Sequence, residues 1–151
     1  MQPLIRPTEA RQRIDAHLPA IPTITCPLDK CAGRVLREAI TADRPLPPFN
    51  RAMMDGYALR SADIGSVEAF TVTVQAPAGT AAQTIGAQPG NCAEIMTGAV
   101  VPCDADCVVP YEVTDKDPDG RIRLRTPSEH RAGNCIHYLG SDHAAGTVLL
   151  P

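Results

Sequence analysis

The 151-residue sequence predicts a mainly β protein with short N-terminal helices, an α+β chain rather than a helical bundle. Three observations carry this expectation. Fifteen prolines and eleven glycines cut the chain into short elements. Apolar and polar residues alternate in several short runs after residue 70, which is the period of a half-buried strand. No heptad, internal repeat or strand–helix–strand rhythm occurs. Apolar residues make up 44% of the chain but aromatics only 3%, so the core must be built from Val, Ile, Leu, Ala and Met.

The first expected element is a helix over Thr8–Leu18. Thr8 can cap it, Glu9 suits its first turn, and Ala10, Ile14 and Leu18 share a face before Pro19 and Pro22 end it. A second short helix is expected after Pro27, stopping at Gly33, and Val35–Ile40 reads as extended. Residues 45–60 run Pro-Leu-Pro-Pro-Phe-Asn-Arg-Ala-Met-Met-Asp-Gly-Tyr-Ala-Leu-Arg. Prolines fix φ and remove donors, so this stretch is expected to be a stiff loop, neither helix nor central strand. Gly56 can take backbone angles that other residues avoid and so aim Asp55 outward.

Further along, Phe70–Val74 alternates as a half-buried strand, and residues 76–90 read as loops of small residues. Cys92–Met96 and Cys107–Val113 look like strands. Asp117-Pro-Asp-Gly120 is a strong turn signal, with Arg121–Arg125 as the returning strand of a hairpin. Thr147–Leu150 is the last expected strand.

Composition excludes several functions. A formal net charge of -3, with no Lys/Arg cluster and no interleaved aromatics, argues against a nucleic-acid surface. No apolar run approaches membrane-spanning length, and Met1–Arg13 lacks a signal-peptide core, so no membrane association and a cytoplasmic setting are expected. The six cysteines then read as reduced thiols. Cys103-x3-Cys107 lacks the second ligand pair of a structural zinc site. Glycine-rich phosphate loops, Gly-x-Ser-x-Gly and His-Glu-x-x-His are absent.

Three stretches stand out. The first is Pro45–Arg60, with Asp55 at its apex. The second is Glu94-Ile-Met-Thr-Gly-Ala-Val-Val-Pro102, where Thr97 and Gly98 leave the end of an apolar strand, followed by Asp104-Ala-Asp-Cys-Val-Val109 and Glu112. The third is Asn134 to Gly146, where Gly140-Ser-Asp142 is followed by Ala145-Gly-Thr-Val-Leu149. Each read alone is ordinary turn or strand-exit chemistry. Together, and in this order, they resemble the molybdopterin molybdenumtransferase family, MoeA and the related gephyrin E domain. Family members carry Pro-Pro-Phe-Asp-Asn-Ser-Ala-Met-Asp-Gly-Tyr-Ala, Arg-Ile-Met-Thr-Gly-Ala-x-x-Pro, and Gly-Glu-Asp followed by Ala-Gly-Asp-Val-Leu. The resemblance spans roughly Pro27 to the end.

The chain also departs from those patterns. Asn50, Arg51, Ala52 and Met53 stand where the family has Asp, Asn, Ser and Ala, and Glu94 replaces an arginine. His137, Tyr138 and Leu139 occupy an arginine-rich run. Of these three, only His137 can restore positive charge, and only when protonated.

The resemblance implies irregular, bifurcated and coiled β-sheets in two interleaved parts, residues 1–46 with 127–151, and 47–126 carrying the motif loops. It implies insertion of molybdenum from molybdate into adenylated molybdopterin, assisted by Mg2+. Asp55, Thr97 and Asp142 match catalytic positions, with Asp55 and Asp142 as metal or positioning carboxylates. Met54, Gly56, Tyr57, Gly98 and Glu112 match the cofactor-binding loops around them. The family's large pterin-binding α/β domain is not represented in these residues, and family members are homodimers. The chain is therefore expected to be inactive as an isolated piece. The competing expectation is a non-catalytic module that uses the same fold for dimerisation or partner docking.

Overall fold

The computed structural model describes residues 4–151. It divides into two compact units, Met1–Ala39 and Ile40–Pro151. In the first unit, α1 spans Pro7–His17. Thr8 lies inside this helix and does not cap it. Arg6 occupies the cap position with no side-chain hydrogen bond, and Pro7 takes the first turn. Proline is favoured there because its φ is already helical and the missing N–H would have no partner. The helix buries no side chain, and Ile14 and Leu18 are 61% and 63% exposed. Its solvated surface carries a Glu9–Arg13 ion pair at 2.7 Å. The expected second helix shrinks to one 3-10 turn, Leu28–Lys30.

The second unit is built on short strands. They are β1 (Ile40–Thr41), β2 (Arg51–Ala52), β3 (Gly56–Leu59), β4 (Thr71–Ala76) and β5 (Asn91–Ile95). β6 (Cys107–Pro110), β7 (Thr114–Lys116), β8 (Ile122–Leu124), β9 (Ile136–His137) and β10 (Val148–Leu150) follow. The main sheet has the order β4-β5-β3-β6. β3 is antiparallel to both neighbours, whereas β4 and β5 are parallel. Parallel neighbours need a long crossover, and residues 77–90, the run rich in Ala, Gly and Pro, supply it without a helix.

The sheet is covered on both faces. Ala58, Ala93, Ile95 and Val108 pack on one side with Ala52, Ala76, Ile85 and Ile136. Tyr57, Leu59, Cys92, Cys107 and Val109 pack on the other with Phe70 and Ile122. Period-two geometry splits each strand between these two clusters, so Gly56–Leu59 is buried throughout. This corrects the expectation that residues 45–60 contain no central strand. The prolines lie at 45, 47 and 48, well before β3, and leave its ladder donors intact.

The β7–β8 hairpin turns at Asp117–Gly120, as expected. Asp117 Oδ1 accepts from the N–H groups of Asp119 at 3.1 Å and Arg121 at 2.8 Å. A reciprocal pair of backbone hydrogen bonds, each 2.8 Å, joins Ile122 to Phe70 and ties the hairpin to the core. β10 pairs with β1, and Leu46 bridges to His143, so the final segment runs beside β1 and the start of the proline-rich stretch.

Gly56 is glycine for a reason other than the expected one. Ten of the eleven glycines have positive φ; Gly56 does not. A Cβ at Gly56 would lie 2.0 Å from the Val109 carbonyl oxygen and 2.8 Å from Pro110 Cα. Both obstacles are backbone, so no rotamer change relieves them. Gly56→Ala is expected to destabilise the chain by about 3 kcal/mol, the upper range of overpacking. Urea unfolding measures this: a clear fall in the midpoint is predicted, and an unchanged midpoint would show that β3 and β6 are not so closely packed.

Candidate functional site

The sheet register brings the first two motif stretches together. Gly56 pairs with Ile95 on β5 and with Pro110 on β6. Asp55, one residue before Gly56, and Thr97, two after Ile95, therefore leave the sheet at the same end. There the Asp55 carboxylate Oδ1 accepts two hydrogen bonds, from the Thr97 N–H at 2.6 Å and the Thr97 hydroxyl at 2.7 Å. The Asp55 carbonyl accepts from the Tyr111 N–H at 3.2 Å, which anchors the turn from the β6 side.

Strand β2 adds the third stretch. On one side Ala52 exchanges backbone hydrogen bonds with the second stretch: its N–H donates to Ala99 O at 3.0 Å, and its carbonyl accepts from the Gly98 N–H at 2.9 Å. On the other side β2 pairs with β9, Arg51 opposite His137 and Ala52 opposite Ile136. Arg51, Ala52, Met53, Thr97, Gly98 and His137 line an open cleft of about 280 Å³.

His137 bridges Arg51 to Asp142. The Arg51 guanidinium donates to His137 Nδ1, with Nη2 at 3.0 Å and Nε at 3.3 Å. His137 Nε2 lies 2.8 Å from Asp142 Oδ1. Arginine has no acceptor, so Nδ1 must accept and the proton must sit on Nε2, where it donates to the carboxylate. In this network His137 is the neutral tautomer. The fixed cation of the cleft is Arg51, not a protonated histidine.

The expected site residues fall in three places. Thr97 and Gly98 line the cleft, and Asp55, which is not itself a lining residue, is bonded to Thr97. Gly98 has φ +83° with open space where a Cβ would stand, so its need is conformational. Asp142 is linked to the cleft wall through His137. The others are elsewhere: Met54 is exposed beside the cleft, whose lining residue is Met53. Gly56 and Tyr57 are buried in β3, the Tyr57 ring edge-on to Tyr111 with centroids 5.1 Å apart. Glu112 is exposed on the 3-10 turn Tyr111–Val113, where its carbonyl accepts from Arg125 at 3.0 Å.

Sequence reasoning missed Arg51 and His137 as a pair because they lie 86 residues apart and meet only through the β2–β9 register. It also missed the position of Glu94. This side chain accepts from the Tyr111 hydroxyl at 2.9 Å and the Gln75 amide at 3.1 Å. Burial first, and then the bond to Glu94, push the Tyr111 phenol far up, so it acts as a donor.

A hard cation needs several oxygen ligands. Asp55 Oδ1 is engaged by Thr97 and Asp142 Oδ1 by His137, while the second oxygen of each carboxylate makes no side-chain hydrogen bond among the described residues. No group of three or more His, Cys, Asp or Glu that could hold a metal occurs among the described residues. These residues fit Mg2+ only as donors of one or two carboxylate oxygens, with substrate phosphates and water completing the shell, as Mg2+ commonly requires.

The Thr97 N–H, followed by its hydroxyl, holds Asp55 below the ordinary aspartate pKa. A depressed folded pKa contributes stability above the unfolded value and loses it as pH falls through the folded one. Thr97→Ala removes the hydroxyl bond but keeps the N–H bond. The Asp55 pKa should rise toward its ordinary value, which a carboxyl-carbon NMR titration reads directly. An unchanged pKa would mean that the hydroxyl does not bind the carboxylate.

The chain is similar to known proteins in both sequence and fold. Residues 5–151 match the family model described as the MoeA N-terminal region (domain I and II). The chain is 36% identical over 148 residues to the molybdopterin molybdenumtransferase of Synechocystis sp., covering 97% of this chain and 37% of that protein. It is 37% identical over 154 residues to molybdopterin molybdenumtransferase 2 of Mycobacterium tuberculosis, covering 97% and 36%. The crystal structure of a molybdopterin biosynthesis MoeA protein from Pyrococcus horikoshii superposes with a TM-score of 0.75 at 28% identity, over 97% of this chain and 38% of that one. The chain thus spans little more than a third of the length of these relatives. With its irregular, unclosed sheets and its three motif stretches meeting at β2, the chain belongs to the MoeA N-terminal region family.

Proposed function

We propose that the chain serves as the N-terminal part of a molybdopterin molybdenumtransferase, acting in molybdenum-cofactor biosynthesis. The substrates in this reading are adenylated molybdopterin and molybdate. The observation that supports it most is the meeting of three motif stretches at one cleft, with the Asp55 carboxylate fixed by Thr97.

Each side chain has a physical task. Asp55 stays ionised across the neutral range and presents its second oxygen outward. Arg51, held by His137, offers a fixed cationic group to an anionic phosphate or to molybdate. Asp142 fixes the His137 tautomer and so the direction of Arg51. Mg2+, when bound, would neutralise the developing charge of the adenylate phosphoanhydride. Asp55 and Asp142 are the carboxylates proposed to donate to it. The remaining cleft walls would come from the further length that the relatives possess, arranged in a homodimer in the cytoplasm. No helix among the described residues is long and apolar enough to cross a membrane.

A chimaera tests the reading. This chain replaces the corresponding region of the Synechocystis molybdopterin molybdenumtransferase, and molybdenum insertion is assayed. The chimaera should be active, and Asp55→Ala within it should lower the rate by about 100-fold, the scale of a lost positioning contact. A folded chimaera without activity, or one indifferent to Asp55→Ala, would instead support the non-catalytic module.

A further inference from the structure

Cys26 and Cys31 flank the 3-10 turn Leu28–Lys30. The turn is closed by the Lys30 N–H donating to Pro27 O at 2.9 Å and the Cys31 N–H donating to Leu28 O at 3.2 Å. This fold-back carries two sulfurs five residues apart to within 3.4 Å of each other. The Cys31 thiol also lies 3.4 Å from the Pro27 carbonyl, so its sulfur is held on the inner side of the turn. Both cysteines are half-buried, and a small reagent can reach them.

The other four cysteines differ. Cys92 and Cys107 are buried in the main sheet, and burial pushes both thiols up to about 12. Burial also raises Cys135, and Cys103 is exposed. Among the described residues, the Cys26–Cys31 contact is the one hydrogen bond between two sulfurs.

We propose that Cys26 and Cys31 form a redox-active dithiol site that exchanges with small-molecule disulfides of the glutathione class and closes reversibly to an intramolecular disulfide. Bond formation requires the sulfurs to close to about 2.05 Å, a movement of about 1.4 Å within reach of side-chain rotation and turn adjustment. One cysteine loses its proton and attacks a sulfur of the small disulfide. That S–S bond breaks, and one small thiolate leaves and takes up a proton. The second cysteine, deprotonated in turn, attacks the protein-side sulfur of the mixed disulfide and expels the second small thiol. Two cysteine thiols are oxidised to one disulfide while one small disulfide is reduced to two thiols, so no other oxidant is needed. The hydrogen bond with Cys31, followed by burial, raises the Cys26 pKa, so exchange should quicken in mildly alkaline buffer.

The test treats the full chain with oxidised glutathione, alkylates the remaining thiols and maps the peptides by mass spectrometry. The expected product has Cys26 joined to Cys31 with the loss of two hydrogens, reversed by dithiothreitol, while Cys103 carries a glutathione adduct. With Cys31→Ser the same treatment should leave a stable glutathione adduct on Cys26, because the resolving thiol is gone. The proposal is overturned if Cys26 and Cys31 stay alkylatable while Cys103 is modified. A wild-type reaction that stops at a mixed disulfide on either residue overturns it equally.

Discussion

The seating of β3 between β5 and β6 is the constraint on which the rest depends. It is set where backbone meets backbone: Gly56 lies against the Val109 carbonyl with no room for a methyl group. A one-residue slip would put a side chain into that contact. It would also exchange the two faces of the sheet and move Leu59 and Ala58 into each other's clusters. Core packing and the glycine contact therefore select the same register. That register leaves Asp55 beside Thr97, so the geometry of the cleft follows from packing before any ligand is present.

Strand β2 has a similar role on a smaller scale. Two residues long, it accepts the Gly98–Ala99 segment on one edge and β9 on the other. Stretches separated by more than 80 residues thereby meet. The polar chain Arg51–His137–Asp142 lies across this junction. It places positive charge at the cleft without requiring a protonated histidine, although the family pattern has arginines near 137–139 and a small polar residue in place of Arg51.

Much of this was legible in the sequence where the signal is local. The alternation in Phe70–Val74 became β4, Cys92–Met96 became β5 and Asp117–Gly120 the expected turn, whereas the strand expected over Cys107–Val113 ends at Pro110 and gives way to a 3-10 turn at Tyr111–Val113. The helix near the N-terminus formed, although Pro7 rather than Thr8 begins it. β3 escaped notice because its residues alternate between two covered faces, which erases the polar–apolar rhythm, and because the nearby prolines read as a loop. The grouping of Asp55 with Thr97 was implied by family resemblance and has a direct geometric basis in the sheet. The Arg51–His137 pairing left no trace in the chain, since cross-strand partners of this separation are set by tertiary register alone. Tyr57 and Gly56 read as loop residues because they adjoin Asp55, yet both are spent on packing.

The central claim is that sheet register delivers the Asp55 carboxylate to the Thr97 N–H. A long-range NMR experiment that detects scalar coupling through hydrogen bonds tests it most directly. A cross-peak between the Thr97 amide nitrogen and the Asp55 side-chain carboxyl carbon, at neutral pH, is the predicted result. A Thr97 amide with no such coupling and rapid exchange with solvent would contradict it.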